Sequence, residues 1–436
     1  MLLIIAIVFF ATFAYAIQNP ARSIRGWIIL TCFVPSWTGV TVPQLGYMAP
    51  AVLVLVPILP AIALSTRVRI GRITWWDVGM LALVGIGFTA VQLGTPQSEG
   101  KAVLLLYALP YVVGRYCSDS IGAVGLLIAR LTPLFGGLGV VEIATRFHPF
   151  AHLDTGSPLG FWAAILTRGS LDRSEVSFGH PLALGGFIAL GLPFVIRYLS
   201  GRQRIVAVAV SLAGIASTVS RGPALAAIAV LVLCLVPGRG LSLARGRKQM
   251  LFVWTGTLAL VALPFVTSVA NEAQSNLQQT ATGRLSLLQL VSHVVPLGLG
   301  NGAELVGPTL TFGGYQSIDN SFLYAGLLYG WVFDLIILAG VVALVWRYVR
   351  GRTGPATIAL LSAIPLLLTV GWITQYGTLL WFVVGLAVSE RRPESLSAGG
   401  SAATARAYDG ESRPGSGQAQ VKRMRQSLET PPRVAS

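Results

Sequence analysis

The chain has 436 residues, of which 54% are apolar and only 11% are charged, and its mean hydropathy is +0.72. This composition excludes an ordinary soluble domain and is typical of a protein that crosses a membrane many times. The formal net charge of +15 does not indicate a nucleic-acid partner, because in a membrane protein such charge lies mostly in loops that face anionic lipid headgroups.

Apolar runs follow one another along most of the chain. A helix needs roughly 20 apolar residues to cross the hydrocarbon, and about thirteen runs approach that length. The predicted spans are 2–18, 27–43, 47–65, 75–94, 102–115, 121–141, 178–197, 204–219, 223–238, 250–269, 321–346, 354–371 and 372–389. Because backbone polar groups must be paired inside lipid, we predict an all-α fold, a polytopic membrane helix bundle of about 12–13 transmembrane helices with one large extracytoplasmic loop.

The first run has two interpretations. It ends in Ala14-Tyr15-Ala16, a small-residue pattern that also fits a signal-peptide cleavage site. Its start lacks the Lys or Arg expected of a signal peptide, so we predict that it is retained as a span.

The basic residues predict an orientation, because Lys and Arg near span ends concentrate on the cytoplasmic side. One alternate set of loops holds most of them, from Arg22 to Arg352. The other set holds only Lys101, Arg146, Arg168, Arg173, Arg221 and Arg284. The long loops 144–177 and 270–320 are therefore predicted to be extracytoplasmic, and the C-terminus cytoplasmic.

Two domains follow from composition. Residues 1–390 form the predicted helix bundle, whereas residues 391–436 are rich in Ser, Gly, Ala, Arg and Pro without periodicity and predict a disordered cytoplasmic tail. No cofactor or metal is expected, because the cysteines and histidines lack metal-ligand spacing. These residues are Cys32, Cys117, Cys234, His148, His152, His180 and His293.

A short polar break at 218–223 contains Ser220 and Arg221 between two apolar runs. A guanidinium group remains charged and can donate two parallel hydrogen bonds to a phosphate. The alternative is an interfacial arginine that reaches lipid headgroups. Both interpretations fit the residues.

The loop 270–320 carries Gly283-Arg284 near its middle and a Gly/Pro-rich run at 296–302. Leu287, Leu288 and Val291 recur at helical spacing, so a short amphipathic helix is predicted to begin near Thr282. A helix N-terminus binds anions through its free N–H groups, although Arg284 could equally be a solvated loop arginine.

Asp319-Asn320 closes the same loop directly before an apolar run. A carboxylate there could accept a proton from a sugar hydroxyl. Capping of the following helix is the better explanation from the residues alone, since Asp and Asn satisfy free backbone donors.

His180 stands at the predicted entrance of another span, between Gly179 and Pro181. It could titrate near neutral pH and assist proton transfer or bind a sugar, or it could be structural. Arg130 and Asp334 fall at membrane depth, where an ionisable group usually finds a partner or a hydrated cavity. We predict that these two pair with each other or line such a cavity.

Taken in chain order, these motifs resemble those of the O-antigen ligase/polymerase superfamily of membrane glycan polymerases and ligases. The resemblance covers residues 120–390. It rests on Phe178-Gly179-His180-Pro181, Thr218-Val219-Ser220-Arg221-Gly222, Gly283-Arg284, Pro296-Leu297-Gly298-Leu299-Gly300 and Asp319-Asn320-Ser321-Phe322-Leu323 followed by Gly330.

The resemblance implies transfer of a glycan from a polyprenyl diphosphate-linked donor to a glycan or lipid acceptor at the outer face of the cytoplasmic membrane. Membrane lipid is the third implied partner, and no metal is required. Arg221 and Arg284 would stabilise the departing diphosphate, and Asp319 would occupy the place of the proposed base. The implied substrate-binding residues are His180, Arg168, Arg173, Asn320, Ser220 and Arg130.

The sequence departs from the pattern of the ligases at one residue pair. Ligases of this superfamily typically carry His-Asn or a similar pair where this chain has Asp319-Asn320, so the aspartate resembles the polymerases. The competing hypothesis is a multi-span transporter, such as a flippase of lipid-linked oligosaccharide, which predicts charges near the bilayer midplane and broken helices in paired halves.

Overall fold

The computed structural model describes residues 2–42, 46–65, 72–153, 156–168, 171–236, 287, 289–306, 309–315 and 318–390. Arg284, the helix predicted to begin near Thr282, the predicted span 250–269 and the tail 391–436 lie outside the described residues. The described part is mostly helical.

The helices are numbered in chain order over the described residues. They are α1 (Leu2–Gln18), α2 (Pro20–Phe33), α3 (Pro50–Leu64), α4 (Trp75–Gln92), α5 (Gln97–Ala102), α6 (Leu109–Tyr116), α7 (Ile121–Thr145), α8 (Pro181–Tyr198), α9 (Gly201–Ser217), α10 (Arg221–Leu235), α11 (Ser321–Tyr329), α12 (Trp331–Val349), α13 (Pro355–Leu367) and α14 (Thr374–Ser389). A π-helical stretch, Val103–Ala108, joins α5 to α6.

Four of these helices, α4, α7, α8 and α12, are long and apolar enough to cross a membrane. Shorter apolar helices include α3, α10, α13, α14 and the Phe9–Gln18 part of α1. The prediction of a mostly helical chain with apolar helices of membrane-crossing length is confirmed. The number of spans and the side on which each loop lies stay predictions.

Three small antiparallel hairpins correct the all-α prediction. They pair β1 (Val40–Val42) with β2 (Gly46–Met48), β3 (Thr167–Arg168) with β4 (Leu171–Asp172), and β5 (Ala303–Val306) with β6 (Thr309–Phe312). The first hairpin lies where the span 27–43 was predicted to continue. That helix ends at Phe33 because Pro35 restricts Val34 to extended backbone.

The predicted span 321–346 is also wrong as one helix, because the chain breaks at Gly330 between α11 and α12. Gly330 has a φ of 92°, and a Cβ there would lie 2.6 Å from the Cα of Leu297. Only glycine fits this conformation and this close approach.

The Gly/Pro-rich run supplies hydrogen bonds that the break would otherwise leave unmade. At the end of α11, the carbonyls of Leu327 and Tyr329 accept from the N–H groups of Gly300 (2.7 Å) and Gly298 (3.1 Å). At the start of α12, the N–H of Trp331 donates to the carbonyl of Val295, 3.0 Å away. Such pairing lets a helix break exist inside an apolar environment.

Glycines allow the helices to approach closely. A Cβ at Gly214 of α9 would lie 2.3 Å from the Cα of Gly136 of α7. A Cβ at Gly114 of α6 would lie 2.3 Å from the carbonyl oxygen of Phe382 in α14. Small residues at helix contacts are the usual device for packing helices in membranes.

The bundle has two ends with different polar groups. The Arg115 end carries Arg115, bound to Asp77, and Arg347, bound to the carbonyl of Ala387. The His180 end carries His180, Ser220 and Asn320, the residues that directly precede α8, α10 and α11.

The connection between α13 and α14 contacts both α10 and α11 at the His180 end. A Cβ at Gly222 in α10 would lie 3.2 Å from the Oγ1 of Thr369. The hydroxyl of Ser321 in α11 donates to the carbonyl of Val370, 2.6 Å away. Two motifs that lie about 100 residues apart in the sequence therefore meet the same connection, an outcome that helix propensities do not encode.

Candidate functional site

The turn at 218–221 is the centre of the candidate site. Ser220 precedes α10, and Arg221 is the first residue of that helix and is exposed. The Ser220 hydroxyl donates to the carbonyl of Thr218, 2.9 Å away. The turn thus presents a guanidinium group at a helix N-terminus, where backbone N–H groups already favour an anion.

Arg168 and Arg173 come to the same turn from the β3–β4 hairpin region. The Nε of Arg173 donates to the carbonyl of Thr218 (3.0 Å), and its Nη2 donates to the Oγ of Ser220 (2.5 Å). The Nη1 of Arg168 donates to the carbonyl of Val219 (3.1 Å). The structure therefore gathers three arginines singled out in the sequence, Arg168, Arg173 and Arg221.

This cluster concentrates positive charge. Burial, and next the positive charge of Arg168, lower the pKa of the Arg173 guanidinium, whereas Glu175 opposes the shift. The hydrogen-bond acceptors of Arg168 and Arg173 given above are neutral oxygens. Such an arrangement is suited to a phosphate or diphosphate, which can accept charge-assisted bonds from several guanidinium groups.

His180 caps α8 beside this cluster. Its Nδ1 accepts from the backbone N–H of Leu182, 3.1 Å away, and its ring lies edge-on to Trp162 with centroids 5.6 Å apart. Burial, and next the positive charge of Arg173, lower the pKa of His180 to about 4. Of the two alternatives, the structure shows the structural one, since His180 caps α8, and the lowered pKa disfavours a charged imidazole at neutral pH. Its role in substrate binding stays a prediction.

The residues around His180 have identifiable local roles. Gly179 has a φ of 62°, and a Cβ there would lie 2.5 Å from the carbonyl oxygen of Trp162. Pro181 occupies the first turn of α8, where its missing N–H costs nothing. The glycine and the proline together place the imidazole at the helix N-terminus.

Asn320 is the capping residue of α11. Its Oδ1 accepts from the backbone N–H groups of Phe322 and Leu323, each 3.0 Å away. The capping interpretation is confirmed for Asn320, whose side-chain oxygen is used in this way. Asp319 directly precedes it and is exposed. Its proposed role as a base stays a prediction.

Arg130 lies away from these residues. It is exposed on α7, twelve positions before Glu142, a separation of roughly 18 Å along the helix axis. The predicted pairing with Asp334 is wrong, because α7 packs on α8 and α9, whereas α12 packs on α4, α11 and α13. Asp334 instead lies against α11, where a Cβ at Gly326 would be 2.4 Å from its Oδ2.

The sequence did not reveal a buried cluster of two glutamates and a histidine near the arginines. Glu142, His148 and Glu175 are 4%, 4% and 5% exposed. The Oε2 of Glu142 accepts from the backbone N–H groups of Glu175 and Val176 (2.8 Å each), and its Oε1 lies 3.1 Å from the Nδ1 of His148. The available signal was that Glu142 is the only acid in the sequence of α7, but the predicted span stopped at residue 141.

Glu175 adds a second buried carboxyl group. Its Oε1 accepts from the backbone N–H of Leu166, 2.7 Å away. Burial raises the pKa of Glu175 to about 8, and the negative charge of Glu142 adds to the rise. The raised pKa favours the neutral form of this carboxyl group.

An apolar cavity of about 270 Å³ lies between α4, α12, α13 and α14. Its lining includes Trp76, Phe322, Trp372 and Trp381, and none of the described residues that line it is Asp, Glu, Lys, Arg or His. Phe322 and Trp372 lie in the first turn of α11 and in the α13–α14 connection, so the cavity extends to the His180 end. A cavity of this chemistry suits hydrocarbon rather than a polar solute.

No family model matches the chain, and neither does any curated protein or solved structure.

Proposed function

We propose that the protein is a membrane glycosyltransferase of the O-antigen ligase/polymerase type. It would transfer or polymerise a glycan from a polyprenyl diphosphate carrier onto an acceptor hydroxyl, at the outer face of the cytoplasmic membrane. The observation that carries this proposal is the convergence of Arg168, Arg173 and Arg221 on the N-terminus of α10. A diphosphate is the ligand whose charge and oxygen geometry best match several guanidinium groups at a helix N-terminus.

The proposed reaction is an inverting displacement. The acceptor hydroxyl oxygen forms a bond to the anomeric carbon while the bond from that carbon to the diphosphate oxygen breaks. The acceptor proton passes to Asp319, and the electron pair leaves with the lipid diphosphate. Arg221, with Arg284 from the loop 270–320, would stabilise the charge that develops on the leaving group.

Arg173 and Ser220 have a supporting part in this proposal. The hydrogen bond between them holds the turn that presents Arg221, so the guanidinium is oriented before the donor arrives. The apolar cavity that reaches Phe322 and Trp372 would accommodate part of the polyprenyl chain. The apolar lining of this cavity supports a lipid-linked rather than a soluble donor.

One observation favours the alternative of a transporter or flippase, namely the broken helix at Gly330. The ends of that break are occupied by hydrogen bonds to Gly298, Gly300 and Val295. Because these backbone groups are already satisfied within the protein, they are not available to coordinate a transported solute, and the enzyme is the stronger proposal.

The test uses purified full-length protein in proteoliposomes with lipid diphosphate glycans extracted from cells. We expect Arg221→Ala and Arg284→Ala to abolish formation of longer or newly attached glycan, and the Lys variants to recover little, because bidentate geometry is lost. Arg202→Ala changes an exposed arginine at the far end of the bundle and serves as the control. Normal donor turnover by both Ala variants would refute the assignment, whereas donor movement across the bilayer without new glycosidic bonds would favour the flippase.

A further inference from the structure

The residues that hold Arg173 in place form a continuous series, here named the anchor segment (residues 173–177). Ser174 donates through its hydroxyl to the carbonyl of Gly139, 2.6 Å away, and through its N–H to the carbonyl of Ser217, 3.3 Å away. The carbonyl of Ser177 accepts from the Nε2 of Gln375, 2.7 Å away. The anchor segment is thereby bound to α7, α9 and α14.

Glu142 makes the central contact with this segment. Its carboxylate accepts the backbone N–H groups of two successive residues, Glu175 and Val176, at 2.8 Å each. One buried oxygen of Glu142 therefore holds two consecutive peptide groups. Removing a buried acceptor leaves its donors without a partner, which costs more than the bond itself contributed.

The backbone at Val176 shows how strongly the segment is constrained. Val176 has a φ of 48°, an unfavourable region for a β-branched residue. Such a conformation persists only where the surroundings over-determine it. The N–H of Val176 is one of the two groups that Glu142 binds, so the carboxylate directly stabilises the strained residue.

We infer that Glu142 is a positioning residue for the arginine cluster: its buried carboxylate fixes the anchor segment so that Arg173 meets the 218–220 turn and aligns Arg221. Arg173 lies two residues before Glu175, about 7 Å of extended chain. Relaxation of the backbone at Glu175 and Val176 would displace the Arg173 guanidinium from Thr218 and Ser220. Misplacement of a binding group by about 1 Å can cost a large factor in function.

The inference deepens the proposed function, since it concerns the same anion site, but its test does not require glycan transfer. Full-length protein in nanodiscs is titrated with inorganic pyrophosphate, and the dissociation constant is measured by calorimetry. We expect Glu142→Ala to weaken binding about tenfold, an effect of one charge-assisted contact or more. Glu142→Gln should stay within about threefold, because its amide oxygen can still accept both backbone N–H groups.

A double-variant cycle separates positioning from general stabilisation. If Glu142 acts through Arg173, then Glu142→Ala combined with Arg173→Ala should bind no more weakly than Arg173→Ala alone. Thr132→Val, a buried polar change on the same helix, is the control and should leave pyrophosphate binding unchanged. Should Glu142→Ala fail to fold, Glu142→Asp, whose carboxylate is one methylene shorter, replaces it in the cycle.

Three results would overturn the inference: additive losses in the cycle, an unchanged dissociation constant in Glu142→Ala despite lower thermal stability, and an absence of pyrophosphate binding by the unaltered protein. The protein could show the expected changes in pyrophosphate dissociation constant and yet transfer no glycan. That result would support the positioning role of Glu142 and refute the proposed function. The two ideas therefore fail in distinguishable ways.

Discussion

Arginines at the two ends of the bundle are bound by different chemistry. At the Arg115 end, Arg115 is 3% exposed and its Nε and Nη2 donate to the two carboxylate oxygens of Asp77, at 2.8 and 3.1 Å. At the His180 end, Arg168 and Arg173 donate to the carbonyls of Val219 and Thr218. The first arrangement neutralises the guanidinium charge, whereas the second orients the guanidinium groups through neutral carbonyl oxygens.

This difference indicates that the arginine at the Arg115 end stabilises the fold, whereas the arginines at the His180 end are available for ligand binding. A paired buried arginine contributes to the fold, and breaking the pair leaves a buried charge that the protein cannot solvate. An arginine held by neutral oxygens keeps its electrostatic attraction for an incoming anion. The two ends should therefore respond differently to the loss of one charged side chain, the Arg115 end in stability and the His180 end in ligand binding.

The largest expected effect is at the Arg115 end. Asp77→Ala removes the carboxylate that binds Arg115, and it also removes the acceptor of the Tyr111 hydroxyl, 2.7 Å away. We expect the free energy of unfolding to fall by about 3 kcal/mol or more, measured by denaturant unfolding in detergent. Asp119→Ala, an exposed aspartate at the same end, should change it by about 0.5 kcal/mol or less. Equally small losses of unfolding free energy in both variants would show that the buried Asp77–Arg115 pair contributes no more to stability than an exposed aspartate.

A smaller effect is expected from pH at the His180 end. Burial raises the pKa of Glu175 to about 8 from 4.5, so the folded state binds this proton more tightly than the unfolded state. Its stabilising contribution is complete below about pH 4.5 and is lost as the pH rises to about 8. As the pH rises across this range, the midpoint temperature of thermal unfolding should consequently fall less in Glu175→Gln than in the unaltered protein. Glu304→Gln, an exposed change on β5, should leave the pH dependence as it was.

The smallest effect on stability is expected at the start of α11, where two neighbouring residues should respond differently to substitution. Asn320→Ala removes a side-chain cap that accepts two backbone N–H groups, and we expect a loss of about 1 kcal/mol in the free energy of unfolding. Asp319→Asn should change stability less but reduce glycan transfer about a hundredfold if the carboxylate is the base. Transfer at the unaltered rate in Asp319→Asn would exclude that role.

Several residues of the site could be selected from sequence. Arg221, Arg168 and Arg173 stand out because they interrupt apolar sequence in loops that hold few other charges. Their convergence could not be predicted, because it depends on hydrogen bonds between residues that are 45 to 51 positions apart. Glu142 was missed because helix periodicity does not reveal where an apolar helix stops.

Composition alone predicts the helical character of this chain and its apolar helices of membrane-crossing length, since long apolar runs with few charges can satisfy their backbone in lipid only as helices. The sequence also indicates the asparagine cap at 320, because a cap depends on one residue and its immediate neighbours. The break at Gly330 was not predicted, because it depends on contacts with the distant run 295–300. Only the folded chain shows which distant segments share an end of the bundle, and that Glu142 accepts hydrogen bonds from the anchor segment. Contacts of this kind arise from packing of whole helices, whose geometry no single stretch of sequence contains.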